Sequence, residues 1–131
     1  MTDKEKQIKY WETTAIDDLE SINYLFEGGK YVQALFFAHL AIEKILKALW
    51  VKGNAENFPP KTHNLTYLYE NSKIELNEEQ TDFLQIMNVY QIEGRYPDYV
   101  SMLHQTTTKD KAQTIINDSK NIFTCLQEKL L

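Results

Sequence analysis

Five side chains in this sequence have types and settings suited to chemistry: His39, Glu43, Lys47, His63 and Arg95. His39, Glu43 and Lys47 stand four residues apart, so on a helix they form one slowly drifting strip. His63 follows Pro59-Pro60 and stands where a helix begins, so it can cap that helix or hydrogen-bond a phosphate or a ribose. Arg95 is the one arginine in a chain with fourteen Lys and Arg. A guanidinium offers a rigid fork that matches phosphate or carboxylate, which lysine does not. It lies in Gly94-Arg95-Tyr96-Pro97-Asp98-Tyr99, where Tyr96 or Tyr99 can stack on a base. Each residue also has a plain structural reading. Glu43 and Lys47 are spaced as an ordinary helix ion pair. His39 can be a satisfied core histidine, and Arg95 can pair with Asp98 or Glu93 to fix a turn.

The element that must position the strip is Leu35 to Val51, LFFAHLAIEKILKALWV. At about 100° per residue its apolar side chains fall on every side, which marks a central, buried helix. A polar strip on such a helix is either edged by solvent or carries a site. The helix begins near Lys30 and runs to about Lys52, where Gly53 stops it. Before it, Thr2 or Asp3 caps a helix to about Glu27, with Ile8, Trp11, Ala15, Leu19, Ile22 and Phe26 as its stripe. Gly28-Gly29 is too short a link for anything but antiparallel neighbours.

After the loop at 53–62, Thr62 is expected to cap a short helix over His63–Ser72. Asn77, with Gln80 three residues on, reads as a capping box opening a helix that Gly94 ends. Residues 95–99 read as a tight turn or a short irregular segment. Thr107 or Thr108 caps the last helix, about Lys109 to Lys129. No strand pattern and no repeat appears. The expected fold is a single all-α domain over 1–131, an up-and-down four-helix bundle with one additional short helix.

Bulk properties narrow the function. A length of 131 residues suits one domain with its own core. A net charge of −5 argues against coating extended duplex DNA, which takes many basic contacts. The lone Cys125 fits a reducing compartment, and no basic-then-apolar leader opens the chain, so a cytoplasmic protein is expected. The central apolar stretch is short for a span and carries charges, so no membrane role is assigned. There is no Gly-rich phosphate loop, no zinc spacing, no Glu-x-x-His pair and no nucleophile elbow. Neither a metal nor a cofactor is therefore expected. Eight Tyr, six Phe and two Trp favour a packed core and a subunit interface.

Three blocks carry a resemblance: Gly29 to Leu49, GKYVQALFFAHLAIEKILKAL; Pro59 to Leu65, PPKTHNL; and Gly94 to Tyr99, GRYPDY. In this order and spacing the chain resembles the HEPN domain family over roughly residues 8 to 126. The resemblance implies a small helical bundle, commonly a homodimer, which binds a nucleotide or RNA. It further implies a nucleotidyltransferase chain as partner in a two-gene, toxin–antitoxin-like module. Many family members are metal-independent RNases that carry Arg, four to six residues, then His. Here eight residues separate Arg95 from His104, so that motif does not carry over intact.

The expected function is a HEPN-type nucleotide- or RNA-binding protein. Its expected ligand-binding residues are Glu43, Lys47, His63, Arg95, Tyr96 and Asp98. Arg95 and Lys47 would meet phosphate, and Glu43 would orient Lys47. Two alternatives stand beside it. One is a metal-independent endoribonuclease with Arg95, His63 and His104 as catalytic candidates. The other is a non-catalytic dimeric interaction module, marked by a large exposed apolar patch.

Overall fold

The computed structural model describes all 131 residues as helices and connecting turns. In chain order the helices are α1 (Asp3–Glu27), α2 (Tyr31–Gly53), α3 (Leu65–Glu70), α4 (Glu78–Met87), α5 (Pro97–Thr106) and α6 (Lys109–Glu128). A single 3-10 turn, Asn88–Tyr90, extends α4.

Helix α2 is the axis of the molecule. Val32, Leu35, Ala38, Ala41, Ile42, Ile45, Leu46, Leu49 and Val51 are buried on it, as all-round apolarity requires. Helix α1 runs antiparallel along it. Lys4 at the start of α1 donates to the carbonyls of Val51 (2.7 Å) and Asn54 (2.6 Å) at the end of α2. Midway, Lys44 pairs with Asp18 at 2.7 Å. The reversal is made at Gly29, which adopts φ +76°, a left-handed conformation that favours glycine. Helix α6 packs on another side of α2 with Ile115, Ile116, Ile122, Phe123 and Leu126 buried. Helices α3 and α5 and the 3-10 turn cover the rest of it.

Caps fix the boundaries. Thr2, Asn77 and Thr108 accept backbone N–H groups at the starts of α1, α4 and α6, and the Asn77–Gln80 capping box is complete. Three local features differ from the sequence reading. Asn64, itself in extended backbone, caps the short helix in place of Thr62, which leaves His63 outside it. The fourth helix stops at Met87 rather than at Gly94. There the chain tightens into the 3-10 turn, and the Asn88 side chain accepts from the N–H of Leu65 at 3.0 Å. Residues 97–106 form a helix where only a turn was expected. Proline at the first helical position starts a helix, because the missing N–H has no partner there anyway. The architecture is thus the expected all-helical bundle with one more helix. No helix is long and apolar enough to cross a membrane.

Candidate functional site

The strip on α2 is buried. His39 has no exposed surface, and Glu43 and Lys47 retain only 3 % and 7 %. Glu43 is the hub. Its Oε2 accepts from Lys47 Nζ at 3.0 Å, and its Oε1 lies 2.9 Å from His63 Nδ1 and 3.8 Å from His39 Nδ1. Lys47 is further held over the Trp11 ring, 5.1 Å from its centroid. The ion-paired carboxylate accepts the Nδ1–H of His63, so it selects one tautomer and one ring orientation. His63 Nε2 is left without a partner inside the chain, on a side chain that is half exposed.

His63 borders a cleft of about 310 Å³ together with Asn64, Asn88, Gln91, Glu93 and Arg95. Three features place Arg95. Gly94 adopts φ +76°, which turns the chain out of the 3-10 segment. The guanidinium stacks on the Tyr99 ring, with its carbon 4.5 Å from the centroid. Its Nε donates to the Gln91 carbonyl at 3.2 Å. Neither Asp98 nor Glu93 forms an ion pair with it. The back of the guanidinium is thereby fixed, and its two terminal nitrogens make no bond within the chain. Tyr99 is itself anchored, its hydroxyl donating to the Val89 carbonyl.

The structure therefore brings together His63, Arg95 and, one step behind His63, Glu43. Lys47 is buried against Glu43 and Trp11 and does not line the cleft. Tyr96, 85 % exposed at the N-cap of α5, and Asp98 in its first turn also lie outside the lining. His104, exposed near the end of α5, is not among the lining residues either.

Sequence reasoning named Glu93 only as a turn partner of Arg95, and it missed the carboxamides Asn64, Asn88 and Gln91. Asn64 was within sight as the neighbour of His63. Nothing in the pattern pointed to Gln91, which is buried with both amide atoms unpartnered.

Beneath the cleft, His39 has no hydrogen-bond partner at either nitrogen. Burial pushes its pKa down to about 4, against an opposing pull from the Glu43 carboxylate. It is a neutral ring at neutral pH. No three His, Cys, Asp or Glu side chains converge as metal ligands would.

Comparison with known proteins adds the family. The HEPN domain matches residues 8–130. Two solved structures share the fold. TT1696 from Thermus thermophilus aligns with TM-score 0.78 and 21 % identity over 94 % of this chain and 98 % of its own. ST0689, an archaeal HEPN homologue, aligns with TM-score 0.65 and 21 % identity over 95 % and 98 %. No curated protein matches.

Proposed function

The chain belongs to the HEPN domain family, and from that premise we propose that the His63–Arg95 cleft binds the phosphate of a nucleotide or of an RNA. One observation carries this reading. Both side chains are tied at their inner nitrogens, Arg95 Nε to Gln91 and His63 Nδ1 to Glu43, while their outer nitrogens are unpartnered and border one cleft. A guanidinium preorganised in this way binds an anion without first losing other partners. Arg95 supplies the two-pronged contact to phosphate, and His63 Nε2, the acceptor in the tautomer that Glu43 selects, takes a hydrogen bond from a ribose hydroxyl. Glu43 is a positioning residue for His63, and Lys47 acts through Glu43. Tyr96, exposed beside Arg95, offers a face for a base. The protein would work as a cytoplasmic homodimer, partnered by a nucleotidyltransferase chain in a two-gene, toxin–antitoxin-like module.

A second reading rests on the same convergence. In a metal-independent endoribonuclease, His63 Nε2 would take the proton of a 2′-hydroxyl as that oxygen attacks the adjacent phosphorus and the 5′-oxygen leaves. Arg95 would stabilise the charge gathering on the phosphate oxygens. The geometry favours His63 over His104 for this role, since only His63 shares the cleft with Arg95.

The deciding experiment is a titration of the wild type and Arg95→Ala against the nucleoside triphosphates and a short single-stranded RNA, with the RNA followed on a gel. A hydrogen bond to a charged group contributes about 1.5–3 kcal/mol. Arg95→Ala should therefore weaken binding at least about tenfold, with helical content unchanged. Saturable binding of intact RNA or nucleotide supports the binding reading, and cleavage lost in the variant supports the nuclease. A folded protein silent in both assays would leave the interaction module.

A further inference from the structure

A second concavity lies between α4 and α6, and it shares no lining residue with the His63–Arg95 cleft. It measures about 410 Å³. Phe83, Ile86 and Ile122 give it an apolar floor, and Glu79, Asp82 and Asp118 give it an acidic rim. It exists because the two helices that bound it pack elsewhere. Helix α4 rests chiefly on α3, and α6 rests on α2. Between them run two weak hydrogen bonds to sulfur, from Gln80 to Cys125 (3.5 Å) and from Ser119 to Met87 (3.8 Å). Ile86 is 52 % exposed, so apolar surface stands open to water there. None of the three carboxylates has an ion-pair partner, and no Lys, Arg or His lines the groove.

We propose that this groove docks an amphipathic helix of a partner protein, with apolar side chains at i, i+3 or i+4, and i+7 flanked by lysine or arginine. Glu79, Asp82, Phe83 and Ile86 lie along one face of α4 over two turns, about 10 Å. That length matches the spacing of such anchors in helix-in-groove recognition. Charge complementarity selects the occupant. Nucleic acid or an anionic membrane would set phosphate against three unneutralised carboxylates. A second copy docked about a two-fold axis would set the same acidic rim against itself, in a chain of net charge −5. A cationic helix meets opposite charge on the rim and apolar surface on the floor.

The test is selection of a helix-biased peptide display library on the full chain, followed by titration of recovered peptides against the wild type, Ile86→Glu and Asp118→Lys. Both positions are exposed, and circular dichroism checks that both variants keep the fold. The expected peptides carry Lys or Arg around apolar residues at the stated spacing. They should lose at least about tenfold in affinity on either variant and weaken with added salt. If Ile86→Glu does not fold, Asp118→Lys decides alone. Recovery of no peptide, of acidic peptides, or of peptides indifferent to both variants overturns the proposal. So does a dimer in light scattering that Ile86→Glu dissociates, since a second copy would then own the groove.

Discussion

Replacing Glu43 with alanine is expected to cost the protein about 3–5 kcal/mol of folding stability, the usual penalty for leaving one member of a buried ion pair alone. Lys47 is 7 % exposed, and its only charged partner is Glu43 Oε2 at 3.0 Å. Without that carboxylate the ammonium sits beside Trp11 with no anion to offset its desolvation. The converse change costs less, because Glu43 keeps His63 as a partner after Lys47→Met. In the double variant Glu43→Leu/Lys47→Met no charge of this pair is buried. It should unfold closer to the wild type than Glu43→Ala does. Denaturant midpoints of the four proteins check this. A Glu43→Ala loss below about 1 kcal/mol would mean that Lys47 reaches water, as in a surface pair.

Acidification should destabilise the protein through His39. Its folded pKa lies near 4 because burial disfavours the charged ring, while the ordinary value is 6.5. Between those values the unfolded chain binds a proton at this residue and the folded one does not, so stability rises with pH across the window. The contribution is complete above about pH 6.5 and is lost as pH falls towards about 4. It amounts to about 3 kcal/mol. The comparison is with His39→Leu, which removes the titration from a site without exposed surface. Wild type should lose about 3 kcal/mol more than this variant between those two pH values. Equal acid sensitivity in both proteins would show that His39 finds a proton-sharing partner in the folded state.

These two effects also explain which parts of the structure could be read in the sequence. The buried central helix was legible because LFFAHLAIEKILKALWV is apolar on every side. Its polar strip was visible at four-residue spacing. The pattern left open whether that strip faces solvent or a site, and it did not show the strip's partner. Glu43 meets His63 because α2 and the segment before α3 pack together, a contact between residues twenty positions apart that periodicity cannot report. Arg95 stood out by its rarity. The loss of its expected turn partners, Asp98 and Glu93, became visible only with Tyr99 stacked on it and Gln91 behind it.

The helix at Pro97–Thr106 was hidden because residues 95–99 read as a tight turn or irregular segment, whereas proline at a first helical position also opens helices. The early end of α4 was hidden because Asn88 looks like any polar helix residue until its side chain is seen capping Leu65. Of the carboxamides of the cleft only Asn64, beside His63, was within sight; Asn88 and Gln91 carried no signal, since single Asn and Gln residues fit no motif.

The most direct measurement of the binding claim uses the three histidines as reporters. His63 borders the cleft, His39 is buried beneath it and His104 lies outside its lining. Their ring nitrogens can be followed by nuclear magnetic resonance while ATP or a short single-stranded RNA is added. Saturable movement of the His63 ring is the predicted result, with His104 stationary and the response abolished by Arg95→Ala. Binding that leaves His63 unmoved, or that shifts His104 instead, would contradict the assignment of the His63–Arg95 cleft.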